Sequence, residues 1–80
     1  METVEVTAHF DPAGRITPLK VVWNGRSYRV EGTGRRWEGK DGYHILAMVV
    51  GNQVFHLIFD NKKVVWKLVH GSDQPEVPQI

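Results

Sequence analysis

Histidine is the residue with the most chemistry to offer in this 80-residue chain, which carries four: His9, His44, His56 and His70. Imidazole nitrogens ligate metals and move protons near neutral pH. The run His70-Gly71-Ser72-Asp73 also holds the residue types of a hydrolytic triad. A triad needs its base within reach of both nucleophile and carboxylate, and contiguous residues in a tail do not provide that geometry. There is no cysteine, so a thiolate nucleophile, a zinc–thiolate site and a disulfide framework are excluded. Glu31, Glu38, Asp41 and Asp60 fall in turns or beside bases. They are expected to form surface ion pairs, Asp60 with Lys63 across its hairpin, rather than an acid–base couple in a pocket. The chain is therefore expected to have no catalytic residues, no metal and no other cofactor.

Residues 32–44, GTGRRWEGKDGYH, place four glycines, three bases, two aromatics and a histidine between apolar runs. Two interpretations stand side by side. In one, Gly32 and Gly34 mark a bulge or sharp bend, and Gly39 and Gly42 bracket a turn at Lys40-Asp41. In the other, the glycines open the backbone so that Arg35, Arg36 and Lys40 can approach an anion while Trp37 or Tyr43 stacks on a base. Gly32-Thr33-Gly34 is not a dinucleotide fingerprint, because tryptophan occupies the place of the third glycine and no helix follows. Net charge is +1 but uneven. Residues 1–14 hold Glu2, Glu5 and Asp11 and no base, whereas residues 15–40 hold seven bases, Arg26 and Arg29 among them, against Glu31 and Glu38. A ligand surface of Arg26, Arg29, Arg35, Arg36, Trp37, Lys40 and Tyr43 follows, and single-stranded nucleic acid or an acidic protein segment is the partner that fits it.

The elements that must position these groups are strands. Residues 3–10, TVEVTAHF, alternate apolar and polar side chains, and Asp11-Pro12-Ala13-Gly14 is a turn. A second strand runs from Arg15 to Trp23. Asn24-Gly25 is a two-residue type I′ hairpin signal that pairs Trp23 with Arg26, Val21 with Tyr28 and Leu19 with Val30. Pro18 cannot donate to a ladder and predicts an edge or a bulge. Tyr43–Val50, Gln53–Phe59 and Lys63–His70 are three further strands joined at Gly51-Asn52 and Asn61-Lys62. No window shows helical periodicity. The fold class is all-β, an antiparallel meander of about six strands forming a strongly bent sheet or small, partly open barrel over residues 3–70, with a loose tail at 71–80.

With two-residue turns, Leu46 and Met48 share a face with Phe55, Leu57, Phe59, Val64, Trp66 and Leu68. The opposite face carries Ile45, Ala47, Val49, Val54, His56, Ile58, Val65, Lys67 and Val69. His44 and His56 then lie on opposite faces, and His44 and His70 near opposite ends of the meander, so no pair converges on a metal. A sheet apolar on both sides demands a cover. Ile45, Val49, Val54, Ile58, Val65 and Val69 are the residues it would bury: by the first hairpin, by the tail with Val77 and Ile80, or by a second copy in a homodimer.

The start METVEVTAHF is not a signal peptide, and no apolar run is long enough to span a bilayer, so a cytoplasmic protein without membrane contact is expected. The order Trp23-x-Gly25-x-x-Tyr28-x-Val30, Trp37, Tyr43-His44, Val54-Phe55-x-Leu57-x-x-Asp60 and Trp66-x-Leu68, over residues 16–70, resembles a small bacterial family of uncharacterised function. It is similar also to the C-terminal domain of some polymerase-like DNA damage-tolerance proteins. The resemblance implies an all-β module without catalytic residues, attached to DNA-repair machinery. Where this chain has Tyr43-His44, those proteins more often have an aromatic followed by arginine or a second aromatic.

Overall fold

Alternating apolar residues punctuated by turn formers fold into six antiparallel strands. The computed structural model describes residues 2–69. The strands are β1 (Glu2–Phe10), β2 (Ile16–Trp23), β3 (Arg26–Gly39), β4 (Gly42–Val49), β5 (Gln53–Asp60) and β6 (Val65–Val69), with no helix among the described residues. Each strand pairs with the next. β1 also pairs with β6 through Glu2–Leu68, Thr3–Lys67 and Val4–Trp66, so the meander closes fully into a small barrel. No helix in the described residues is long and apolar enough to cross a membrane.

Closure depends on strands that bend from one sheet into the other. β3 pairs with β2 over residues 26–29 and with β4 over residues 30–39, and its ladder to β4 is interrupted by bulges at Val30/Gly32 and Thr33/Arg36. Each extra residue kinks the strand and increases its twist. The glycine-rich stretch is thus the bent half of one fourteen-residue strand. A Cβ at Gly32 would lie only 3.2 Å from Met48 Cε, so the bend also brings backbone and side chain unusually close. On the other side, β1 and β2 shift register between Thr7 and Ala8, where Pro18 pairs with Ala8 and Leu19 is the extra residue. Pro18 therefore marks a bulge, and a closed barrel leaves it no edge.

Asn24 (φ 53°) and Gly25 (φ 75°) form the left-handed two-residue turn their types call for, and Trp23–Arg26 and Val21–Tyr28 pair across it. Leu19 and Val30 do not. The bulge leaves Leu19 46% exposed, and β3 leaves β2 after Arg29 so that Val30 pairs with Val49.

The larger correction concerns β4 and β5. Their loop holds three residues, 50–52, and the ladder pairs Val49 with Gln53, Ala47 with Phe55 and Ile45 with Leu57. Because side chains alternate with period two, this one-residue change reverses which face of β4 meets the inward face of β5. Ile45, Ala47 and Val49, not Leu46 and Met48, join Phe55, Leu57, Phe59, Trp66 and Leu68 in the core. A six-stranded interior is narrow, and the small Ala47 and Val49 beside Phe55 and Trp66 suit it.

The β5–β6 loop holds four residues, 61–64, closed by the Val64 N–H donating to the Asp60 carbonyl at 2.7 Å. The Asp60 carboxylate accepts from the backbone N–H groups of Lys62 and Lys63, at 3.0 and 3.2 Å, and lies 3.6 Å from Lys67 Nζ. Lys63 thus meets Asp60 through its backbone, and Lys67 takes the ion pair expected of it. Val64 is 70% exposed with φ 57°, a left-handed conformation that a β-branched side chain resists. Val64→Asn is expected to relieve about 1 kcal/mol of strain and raise the melting temperature by roughly 4–8 °C in thermal unfolding. His70, the His70–Asp73 run, the tail and the cover by Val77 and Ile80 lie outside the described residues.

Candidate functional site

The same ladder decides which side chains leave the barrel. With Ile45 and Leu57 directed inward, β4 sends His44, Leu46 and Met48 outward and β5 sends Val54, His56 and Ile58 outward. β3 contributes Trp37, the cross-strand partner of His44. His44 and His56 therefore share a face, and His44 Nδ1 lies 2.8 Å from His56 Nε2. The expectation that they point to opposite sides fails for a single cause, the third residue in the β4–β5 loop.

A second contact extends the pair. His44 Nε2 lies 2.8 Å from Asp41 Oδ1, in the two-residue turn between the paired Gly39 and Gly42. Gly39 makes room for it: a Cβ there would sit 2.8 Å from His44 Nε2 and 3.3 Å from Asp41 Oδ1. A carboxylate can only accept, so His44 Nε2 donates to Asp41. When the two rings carry two protons between them, His44 accepts at Nδ1 from the Nε2–H of His56, and His56 Nδ1 is the unprotonated end of the chain. The hydrogen bond from His44 holds the Asp41 carboxyl below its ordinary value, against a smaller opposing effect of burial. Burial pushes His56 below the ordinary imidazole value, a positive charge on His44 acts in the same direction, and Asp41 works against it.

Trp37 lines one side of the pair. Its ring stacks on His44 at 4.8 Å and 18°, and its centroid is 5.3 Å from the ring of His56. Arg35, delivered by the second β3 bulge, holds its guanidinium carbon 5.4 Å from the Trp37 centroid, a cation–π distance. Asp41 and His56 engage opposite nitrogens of His44, so these donors do not converge on one point. The described residues contain no group of three or more histidine or acidic side chains placed to hold a metal ion.

Of the seven residues expected at a ligand surface, only Arg35 and Trp37 are brought into contact. Arg36 points to the barrel interior side and donates to the Ile16 carbonyl and, at 3.1 Å, to Thr33 Oγ1, so it ties β3 to the start of β2. Tyr43 packs against the core. Lys40 is exposed in its turn, beside a recess of about 360 Å³ where Glu38, Asp41 and Asp60 balance Lys40, Lys62 and Lys67. Arg26 and Arg29 lie at the opposite end of the barrel and line a shallow recess of about 580 Å³ with Tyr28 and Gln53. Arg29 pairs across the ladder with Lys20, and both are exposed. The six aliphatics expected to drive self-association do not form a common exposed patch. Ile45 and Val49 are core residues, Ile58 (1% exposed) and Val69 (7%) are buried on the outer side, and only Val54 and Val65 are half-exposed.

Comparison with known proteins adds no relative: no family model matches this chain, and neither the curated proteins nor the solved structures contain a match. The Asp41–His44–His56 chain is the feature that residue spacing alone missed. The signal in the sequence is Ala47, a small side chain that suits the interior opposite Phe55 in the register that unites the two histidines.

Proposed function

We propose that the protein is a non-catalytic binding module of the cytoplasm whose outer β3 surface contacts single-stranded nucleic acid, with Arg35 and Trp37 at the centre of the contact. One observation carries this: an exposed guanidinium held over a half-buried indole on the outer side of β3, with no ion pair to a carboxylate among the described residues. A phosphate can draw the guanidinium away while a base stacks on the indole, the combination by which single strands are held without sequence preference. Arg29, farther along the outer side of the same strand, and Lys20 beside it offer a second phosphate contact to an extended chain. The resemblance to domains of DNA damage-tolerance proteins points in the same direction and adds no residue to the surface.

Fluorescence anisotropy with a short labelled homopyrimidine strand tests the proposal. Binding is expected at low salt and is expected to weaken steeply as salt rises, because phosphate contacts release counterions. Trp37→Ala is expected to lower affinity roughly tenfold or more, the scale of one lost stacking platform. Arg35→Ala should flatten the salt dependence while leaving the melting temperature in place. No binding at low salt would overturn the proposal, and capture of a poly-glutamate peptide without the oligonucleotide would reassign the surface to an acidic protein segment.

A further inference from the structure

Resting on the binding surface proposed above, we infer that His56 is the residue that meets a phosphate oxygen beside Trp37, and that Asp41 and His44 position its ring for that role. The geometry has a single open end. Asp41 Oδ1 accepts from His44 Nε2–H, and His44 Nδ1 and His56 Nε2 share the next hydrogen bond, so both inner contacts are satisfied at 2.8 Å and only His56 Nδ1 remains to face a ligand. Trp37, 5.3 Å from the His56 ring, and Arg35 over Trp37 bring the proposed stacking platform to the same place.

The chain accepts one proton without rearranging. Protonation at His56 Nδ1 leaves every existing hydrogen bond intact, whereas a second proton, on His44 Nδ1, would set two N–H groups face to face across 2.8 Å. The surroundings make that first proton conditional on a ligand. On β5 itself, Val54 and Ile58 flank His56 and are apolar; from β4 it faces His44 and Leu46. From β6 it faces Val69, with Lys67 two pairs farther along and engaged at 3.6 Å with Asp60. From β3 come Trp37 and the cation Arg35, and the β3–β4 turn contributes Asp41. Burial works against the charged form of the His56 ring. A phosphate oxyanion against Nδ1 favours the charged ring, and the protonated Nδ1 donates to it. Binding therefore takes up a proton in the window between the free and the bound pKa of His56. Affinity rises as pH falls through that window and levels off below the free value.

The experiment is the same oligonucleotide titration run from about pH 8 to about pH 5, with histidine ring resonances followed by NMR with and without the oligonucleotide. Affinity is expected to rise with acidification by a factor approaching tenfold per pH unit, the slope of one linked proton. The oligonucleotide should shift the titration of one imidazole upward, and that imidazole should be missing in His56→Gln. His56→Gln should lose this slope. Asp41→Asn keeps an acceptor for His44 but removes the charge, so its profile is expected to move to lower pH with the slope retained. A slope that survives in His56→Gln, or binding independent of pH, overturns this inference and leaves the Arg35–Trp37 surface standing. An Asp41→Asn profile identical to the parent's removes Asp41 from the positioning role. Absence of binding at every pH overturns both proposals together.

Discussion

Gly42→Ala is expected to abolish the folded barrel. Gly42 has φ +138°, where an L side chain is strained whatever its surroundings. The surroundings are also closed: a Cβ would drive into the carbonyl oxygen of Phe59, approach its carbonyl carbon to 2.9 Å and lie 3.2 Å from Ile58 Cγ2. The carbonyl cannot give way. Phe59 pairs with Tyr43 on one side and with Trp66 on the other, so it is fixed within a central strand of the ladder. Strain and clash together are expected to cost at least about 4 kcal/mol. A domain of this length has roughly 4–12 kcal/mol in total. Circular dichroism and urea unfolding should show a chain unfolded or nearly so in the absence of denaturant. Gly39→Ala is the informative companion, because its Cβ meets the His44 imidazole and not backbone, and the barrel should survive it. Equal behaviour of the two variants would mean that the β3–β4 turn is not built around Gly42.

Much of this architecture is legible from residue types because local chemistry and tertiary structure agree. Asn24-Gly25 admits one kind of hairpin, and that hairpin fixes two of its three expected pairings. Val4, Val6 and Ala8 alternate with Thr3, Glu5 and Thr7, and the apolar set packs against the core. What local chemistry does not determine is loop length. Gly51 (φ 92°) and Asn52 (φ 60°) are both left-handed, as a two-residue turn would also require, yet Val50 belongs to the loop as well. The register is a property of the closed ladder of all six strands, which the turn residues do not encode. The same holds for Arg36, which charge and neighbours assign to a ligand but which a bulge turns toward the Ile16 carbonyl. The histidine chain was out of reach for the register's reason: its members are twelve residues apart in sequence and meet only if the loop holds three residues.

The register can be tested through the core. Phe55 is 6% exposed and stands opposite Ala47, with its ring edge-on to Trp23 at 5.7 Å and to Tyr28 at 5.0 Å. It joins β5 to the β2–β3 hairpin across the interior. Phe55→Ala is expected to cost about 3–5 kcal/mol through lost burial and the cavity left behind. The urea midpoint should fall sharply with the slope unchanged. Met48 supplies the contrast. In the two-residue register it would share the inner face with Phe55, whereas in the closed barrel it points outward and is 38% exposed. Met48→Ala is accordingly expected to cost about 1 kcal/mol or less, in the range of a partly exposed side chain. Similar losses for the two variants would mean that Met48 faces the core and that β5 is displaced by one residue. His44 and His56 would then lie on opposite sides of the sheet, and the role proposed for His56 beside Trp37 would have no structural basis.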